Sequence, residues 1–279
     1  MNIVIHELPL VVFTVLAQSA VGSWLVFSFV LCTNLNAQSR RYVHKVMFVI
    51  LALLGIGFTA SVLHLGTPIR AFNSLNRVGE SMMSNEIASG ALFFAMAGMY
   101  WLLAIMRKMP LALDKLWLVI SSLIGLVFMV IMDQVYHIPS VPTWNTPMTS
   151  CLFFGTVALG GIALSSALIM ANPQRTYQLS ALPWLFALAV LFAAIVAVYQ
   201  GFSLPQIHSA IQNAAALVPD YAAFSALRFC CLALAALFIF RSKNIGVLAL
   251  AAILTLFAEM LGRNLFYAAH MTLGMAVGG

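Results

Sequence analysis

The chain has 279 residues, of which 63% are hydrophobic and 7% charged, with a mean hydropathy of +1.03. So little polar side chain cannot cover a soluble globule, and the composition places the chain in a bilayer. The formal net charge of +6 is no nucleic-acid footprint, because most of the thirteen basic residues recur in alternate connections between apolar runs, as membrane orientation demands.

A spanning helix needs about 20 apolar residues, and eight such runs are read at 9–32, 44–64, 85–106, 115–135, 148–170, 181–201, 224–241 and 246–267. Backbone groups in lipid must be satisfied internally, and the alternation of a barrel strand is absent, so the fold class is an all-α integral membrane protein with eight transmembrane helices. Residues 1–279 form one polytopic domain, with no linker or low-complexity stretch. The opening MNIVIHELPL carries Glu7 but no Lys or Arg, so the first run is expected to be a permanent helix and not a cleaved leader.

Arg40, Arg41, Lys45, Arg107, Lys108, Lys115, Arg175, Arg241 and Lys243 fall in or beside the connections 34–43, 107–114, 171–180 and 242–245. Only Arg70, Arg77, Arg228 and Arg263 fall toward the other side, which has no lysine. The asymmetry predicts that the basic connections face the cytoplasm and that both termini lie outside. The outer connections after the second, fourth and sixth runs are the long ones, and long loops in a helical bundle tend to carry function. The second–third and sixth–seventh connections occupy equivalent positions, which leaves two four-helix halves open as a grouping. Within the sixth–seventh connection, Ile207, Ile211, Ala214 and Leu217 have helical spacing and predict a short helix over 206–217.

The second run ends at His64, before Pro68 forbids smooth continuation, and the third begins near Ser84-Asn85-Glu86. His64 and Glu86 are therefore expected at one depth, with Arg70, Arg77 and Glu80 between them in sequence. Oxidation of a quinol releases two protons with two electrons, so it needs a hydrogen-bonding acceptor for each hydroxyl and a base that works near neutral pH. An imidazole and a carboxylate at a membrane edge meet that need. The blander alternative has Glu86 complementing the helix dipole in a first turn after Ser84 and His64 satisfying a loop carbonyl.

In the eighth run, Glu259, Arg263, Tyr267 and His270 share one helical stripe. Glu259 lies deep in the apolar core, where a charge must be paired or functional. A Glu259–Arg263 ion pair and a proton relay both fit. Asp133, Tyr136, His137 and His208 are expected as a solvated polar rim. Cys32, Cys151, Cys230 and Cys231 lack metal-ligand spacing and are expected as small apolar residues. Of the six histidines only His44 lies inside, so no two stacked pairs exist for a two-haem wire; one haem held between His64 and His270 stays open as a rival.

The segments GFTASVLHLGTPIRAFNSLNRVGESMMSNEIASG at 57–90, AAALVPDY at 214–221 and GRNLFYAAHMTLGM at 262–275 closely resemble the membrane anchor subunit of bacterial dimethyl sulfoxide reductases. The resemblance covers the whole chain. It implies a multi-pass subunit of the bacterial cytoplasmic (inner) membrane that is not itself the catalytic subunit but carries the menaquinol-oxidation half-reaction. The partners it implies are an iron–sulfur electron-transfer subunit and a molybdenum catalytic subunit; that they dock at the outer face is expected from the charge asymmetry and not from the resemblance. Menaquinol is then a substrate, and neither haem nor an iron–sulfur cluster is expected in this chain. In such anchors the histidine of the HLG segment and the glutamate of the SNE segment are implicated in menaquinol binding; here these are His64 and Glu86. Asn85 of the same segment, Arg70 and Arg77, and Glu259 and Arg263 complete the candidate binding residues, the first two arginines serving either the quinol head group or acidic groups of the iron–sulfur subunit. A proton-coupled small-molecule transporter using Glu86, Glu259 and Arg263, and a purely structural anchor, are the alternatives.

Overall fold

The computed structural model describes residues 7–64, 73, 75–170, 172, 175–208 and 212–272. Among the described residues, eight helices are long and apolar enough to cross a membrane. They are α1 (Leu8–Cys32), α2 (Ala37–His64), α3 (Met82–Ile105), α4 (Leu111–Gln134), α5 (Pro147–Ser165), α6 (Leu182–Ser203), α7 (Tyr221–Arg241) and α8 (Ile245–Ala268). A π-helical turn, Ser166–Met170, extends α5. Among the described residues no strand is formed, only one isolated bridge between His208 and Asn213.

Local chemistry sets the helix starts. Proline occupies the first turn of α1, α5 and α6, where its missing N–H has no intrahelical partner to lose. Asn244 caps α8, its Oδ1 accepting from the Gly246 and Val247 amides at 2.8 and 3.4 Å. The start of α2 at Ala37 is seven residues before the predicted run. Asn36 accepts the Ser39 amide at 2.7 Å, and Arg40 and Arg41 lie on helix that hydropathy alone cannot reveal.

The predicted helix over 206–217 is replaced by a 3-10 turn at Leu204–Gln206 and a single α-turn at Ala214–Leu217. Residues 209–211 of the predicted helix lie outside the described residues; on either side of them the Ala214 amide donates to the Ile207 carbonyl at 3.0 Å. Asn213 then caps the turn through the Ala215 amide at 2.9 Å. Helical spacing is present, but among the described residues the cap at Asn213 confines α-helix to the last turn.

Helices α1 and α5 form the centre, most of each being buried, while the other six present much of their surface outward. α1 packs on α2, α4, α5 and α8; α2 meets α3 and α3 meets α4; α5, α6, α7 and α8 pack in succession, and α8 returns to α5. The α1–α5 crossing is made by small residues, which let backbones approach closely where lipid supplies no hydrophobic drive for association. A Cβ on Gly22 would lie 2.0 Å from the Val157 carbonyl oxygen, and one on Gly161 would lie 2.5 Å from the Gly22 carbonyl carbon. Ser23 Oγ donates to the Gly161 carbonyl at 3.3 Å across the same crossing.

Backbone fills that space, so no rotamer change relieves an added side chain. Gly161→Leu is expected to lower the thermal midpoint in detergent by an overpacking cost of about 1–3 kcal/mol or more. Gly155→Leu, on the same helix where a Cβ meets nothing within 4 Å, is expected to leave it near wild type. Equal behaviour of the two variants would refute the close crossing.

Candidate functional site

Two buried polar groups of side chains meet toward the end of the bundle that carries the long α2–α3, α4–α5 and α6–α7 connections. The first centres on α3. Glu86 is in the second turn of that helix, whose first turn contains no acidic residue, so the proposed dipole role has no place. Its side chain is buried at 7% exposure, and Oε1 has no hydrogen-bond partner among the described residues. A buried oxygen with no donor is costly and calls for an explanation.

One turn further in on the same face, Gly90 admits the rings of Phe58 and Phe128; a Cβ there would come within 2.9 Å of Phe128 and 3.0 Å of Phe58. Phe58 also meets Phe13 and Phe94, with ring centroids 5.8 Å apart in each case. Glu86 thus stands above an aromatic floor supplied by α1, α2, α3 and α4.

His64 is the last residue of α2, and its side chain lies outside the described residues, as do Arg70 and the segment 65–72. Asn85 is directed at the loop. Its Oδ1 accepts the Gly79 amide at 2.7 Å, and Gly79 has φ +92°, a left-handed conformation that suits glycine. Asn85 therefore fixes the chain entering α3. Arg77 is exposed and pairs with Glu80 at 3.7 Å, an arrangement of small energetic consequence in water.

The second group runs across α1, α5, α7 and α8. Glu259, Arg263 and Tyr267 lie on one buried face of α8, with exposures of 1%, 3% and 4%. The expected Glu259–Arg263 ion pair is not made. Glu259 Oε1 instead accepts from Arg228 of α7, at 2.9 Å from Nη2 and 3.3 Å from Nε, while Thr156 Oγ1 donates to Oε2 at 2.6 Å. Arg263 turns toward α1 and α5: Nη2 donates to Gln18 Oε1 at 2.5 Å and to Thr156 Oγ1 at 3.3 Å. Its guanidinium carbon stands 3.6 Å from the Phe153 ring centroid, a cation–π contact. Nε and Nη1 of Arg263 remain without a partner.

Helical stripe spacing shows that Glu259 and Arg263 share a face, but the reach to Arg228 on neighbouring α7 decides the pairing. Arg228 is legible in sequence only as a cation inside an apolar run, which in lipid implies a partner. His270, expected in the same stripe, is past the end of α8 and exposed, its ring 4.5 Å from Trp144.

Tyr136 joins the two groups. Its hydroxyl lies 2.7 Å from that of Tyr267, and it is buried rather than on a solvated rim. Burial is the main reason that its phenol is held well above the ordinary value; Tyr267 and Glu86 add to the shift and Arg263 opposes it. Glu86 and Arg263 therefore both act on one phenol, with opposite sign.

Asp133 and His137 also depart from the solvated rim. Asp133 is 3% exposed, and its Oδ2 accepts from Ser150 Oγ at 2.8 Å, with His137 Nε2 3.0 Å from the same hydroxyl. One turn of α4 brings these side chains against α5, which the apolar pattern of either run alone does not reveal. His208 is exposed, as expected. The four cysteines are free.

A sequence model of the DMSO reductase anchor subunit (DmsC) family matches residues 1–269. The sequence is 63% identical over 279 residues to an anaerobic dimethyl sulfoxide reductase subunit of Haemophilus influenzae, covering 100% of both proteins. It is 45% identical over 280 residues to the anaerobic dimethyl sulfoxide reductase subunit YnfH of Escherichia coli and 43% identical over 280 residues to a second anaerobic dimethyl sulfoxide reductase subunit of the same organism, covering 98% of each protein in both cases. Eight spanning helices and a family match over nearly the full length agree, and the chain belongs to the dimethyl sulfoxide reductase anchor subunit family, as a multi-pass membrane protein.

Proposed function

We propose that this subunit oxidises menaquinol near its long-loop end and passes the electrons to an iron–sulfur subunit, which feeds a molybdenum catalytic subunit. The observation that carries the proposal is the unpartnered, buried Oε1 of Glu86 above the Phe13–Phe58–Phe128 floor. A naphthoquinol ring suits such a floor, and its hydroxyl supplies the missing donor. His64, closing α2, receives the second hydroxyl. Asn85 holds the loop, and Arg77 is free on its outer side to meet an acidic partner surface.

The step balances simply. One quinol gives one quinone, two protons and two electrons; Glu86 and His64 accept hydrogen bonds from the hydroxyls and take up the protons, and the electrons leave singly to a cluster in the docked subunit. Tunnelling range then requires the partner to dock at the long-loop end. The basic connections support an outer-face position for that end in a bacterial cytoplasmic membrane, and protons and electrons then leave on the same side. Glu259 and Arg263 support the site from within, through Tyr267 and Tyr136.

Titration with a fluorescent quinol analogue tests binding directly. The assembled complex is expected to quench it saturably, with quenching lost in Glu86→Gln and in His64→Ala. Unchanged quenching in both would remove the site. Substrate-coupled uptake by vesicles holding this subunit alone would favour a transporter instead.

A further inference from the structure

At the opposite, basic end the space between α2, α3 and α4 opens into a cavity of about 480 Å³. Four cations line it, Arg40, Arg41, Lys45 and Arg107, against one carboxylate, Asp114. That carboxylate is already committed: Oδ2 accepts from Arg40, and Oδ1 accepts the Tyr100 hydroxyl at 2.6 Å. Arg40 also donates to the Leu31 carbonyl at 2.8 Å, so the Arg40–Asp114 pair is a fixed, neutral floor. Arg41, Lys45 and Arg107 reach the cavity mouth, and among the described residues no carboxylate pairs with them.

Orientation in the membrane explains why basic residues sit at this end, but not why three unpaired ones converge on one cavity. Arg107 adds a second sign. Its φ of 55° is left-handed, a conformation in which a helix end ordinarily places glycine and which an arginine adopts at an energetic cost. The opposite wall is apolar, formed by Ala104, Ile105 and Met109. One turn inward of His44 and Lys45, exposed Phe48 lies against Trp101 with ring centroids 5.3 Å apart, and Trp101 Nε1 donates to the His44 carbonyl at 2.9 Å. A cationic mouth above an apolar flank that faces lipid matches an amphiphile better than a free ion.

We propose that this cavity binds an anionic phospholipid, with Arg41, Lys45 and Arg107 around its phosphate and an acyl chain along Ile105 and Phe48. The site is independent of what Glu86 binds.

Native mass spectrometry of the complex, taken from bilayers of equimolar phosphatidylcholine and phosphatidylglycerol, tests it. The wild type is expected to retain phosphatidylglycerol selectively, and Arg41→Gln/Lys45→Gln/Arg107→Gln to weaken retention on the order of 100-fold. Lys108→Gln/Arg241→Gln/Lys243→Gln removes the same charge from the same end without touching the cavity, and is expected to retain the lipid. Arg107→Gly separates binding from folding: it removes one cation and relieves the left-handed arginine, so retention falls about 5-fold while the thermal midpoint does not drop. Equal loss in the two triple variants would reduce the effect to diffuse surface charge, and displacement of the lipid by inorganic phosphate would make this a free-anion site; either result overturns the proposal.

Discussion

Glu86→Gln is expected to abolish quinol-dependent turnover of the assembled reductase while turnover with a soluble artificial electron donor persists. Glutamine keeps the volume and one acceptor oxygen, so packing against Gly90, Phe58 and Phe128 survives. What is lost is the charged acceptor that holds the quinol hydroxyl, and with it the ability to take up a proton, for which a positioned acid or base contributes about 10²–10⁴-fold. A fall of at least about 100-fold in the quinol assay, with subunit assembly unchanged, is the expected measurement. Glu86→Asp withdraws the carboxylate by one methylene and should give an intermediate loss. Full quinol turnover in Glu86→Gln would leave this subunit as a structural anchor with quinol chemistry elsewhere. The soluble-donor control matters because it bypasses this subunit and reports only whether the partners are present and competent.

The position of Glu86 explains why a neutral variant is tolerable. Its Oε1 makes no hydrogen bond among the described residues, so exchange to the amide strands no donor there. Asn85, next to it in sequence, does the structural task of tying Gly79 to the start of α3. Neighbouring residues of one short segment thus divide the work: one orders the loop, the other faces the buried cluster.

Much of this is legible in the sequence, for reasons that differ by feature. The eight spans follow from hydropathy, because a bilayer imposes a length on every apolar run. His64 at the end of α2 and Glu86 near the start of α3 follow from Pro68 and from the return of apolar residues after Ser81. The α1–α5 crossing is not legible: Gly22, Gly160 and Gly161 read as ordinary residues of an apolar run until the two backbones are placed in contact. The partners of the buried charges are equally hidden. Gln18, Thr156 and Arg228 come from three different helices, and no local spacing connects them to Glu259 or Arg263. Asp133 and Tyr136 are hidden for a related reason, since a polar residue at the end of a span suggests water unless another helix covers it.

Glu259→Leu is expected to be the most destabilising single substitution among the polar residues of the core. It removes the acceptor of Arg228 and the partner of Thr156, leaving two guanidinium groups, Arg228 and Arg263, within electrostatic reach of each other and without the carboxylate that both feel. A carboxylate stranded in apolar surroundings can take up a proton and become neutral, whereas a guanidinium cannot. Breaking a buried pair from the acidic side should therefore cost more than Arg228→Met, with a loss of about 3–5 kcal/mol against a smaller one. Because an apolar pair of similar volume is often as stable as the ion pair it replaces, Arg228→Met/Glu259→Leu should recover most of the thermal midpoint lost in Glu259→Leu. The recovered double variant also separates the two roles that Glu259 can play. If quinol turnover returns with stability, the carboxylate serves to hold α7 against α8. If stability returns and turnover does not, protons released at Glu86 depend on the series of groups from Tyr136 and Tyr267 through Arg263 to Glu259, and the buried pair is part of the proton path. A double variant no more stable than Glu259→Leu would mean that the interior does not gain from replacing the ion pair, against the packing argument on which the expectation rests.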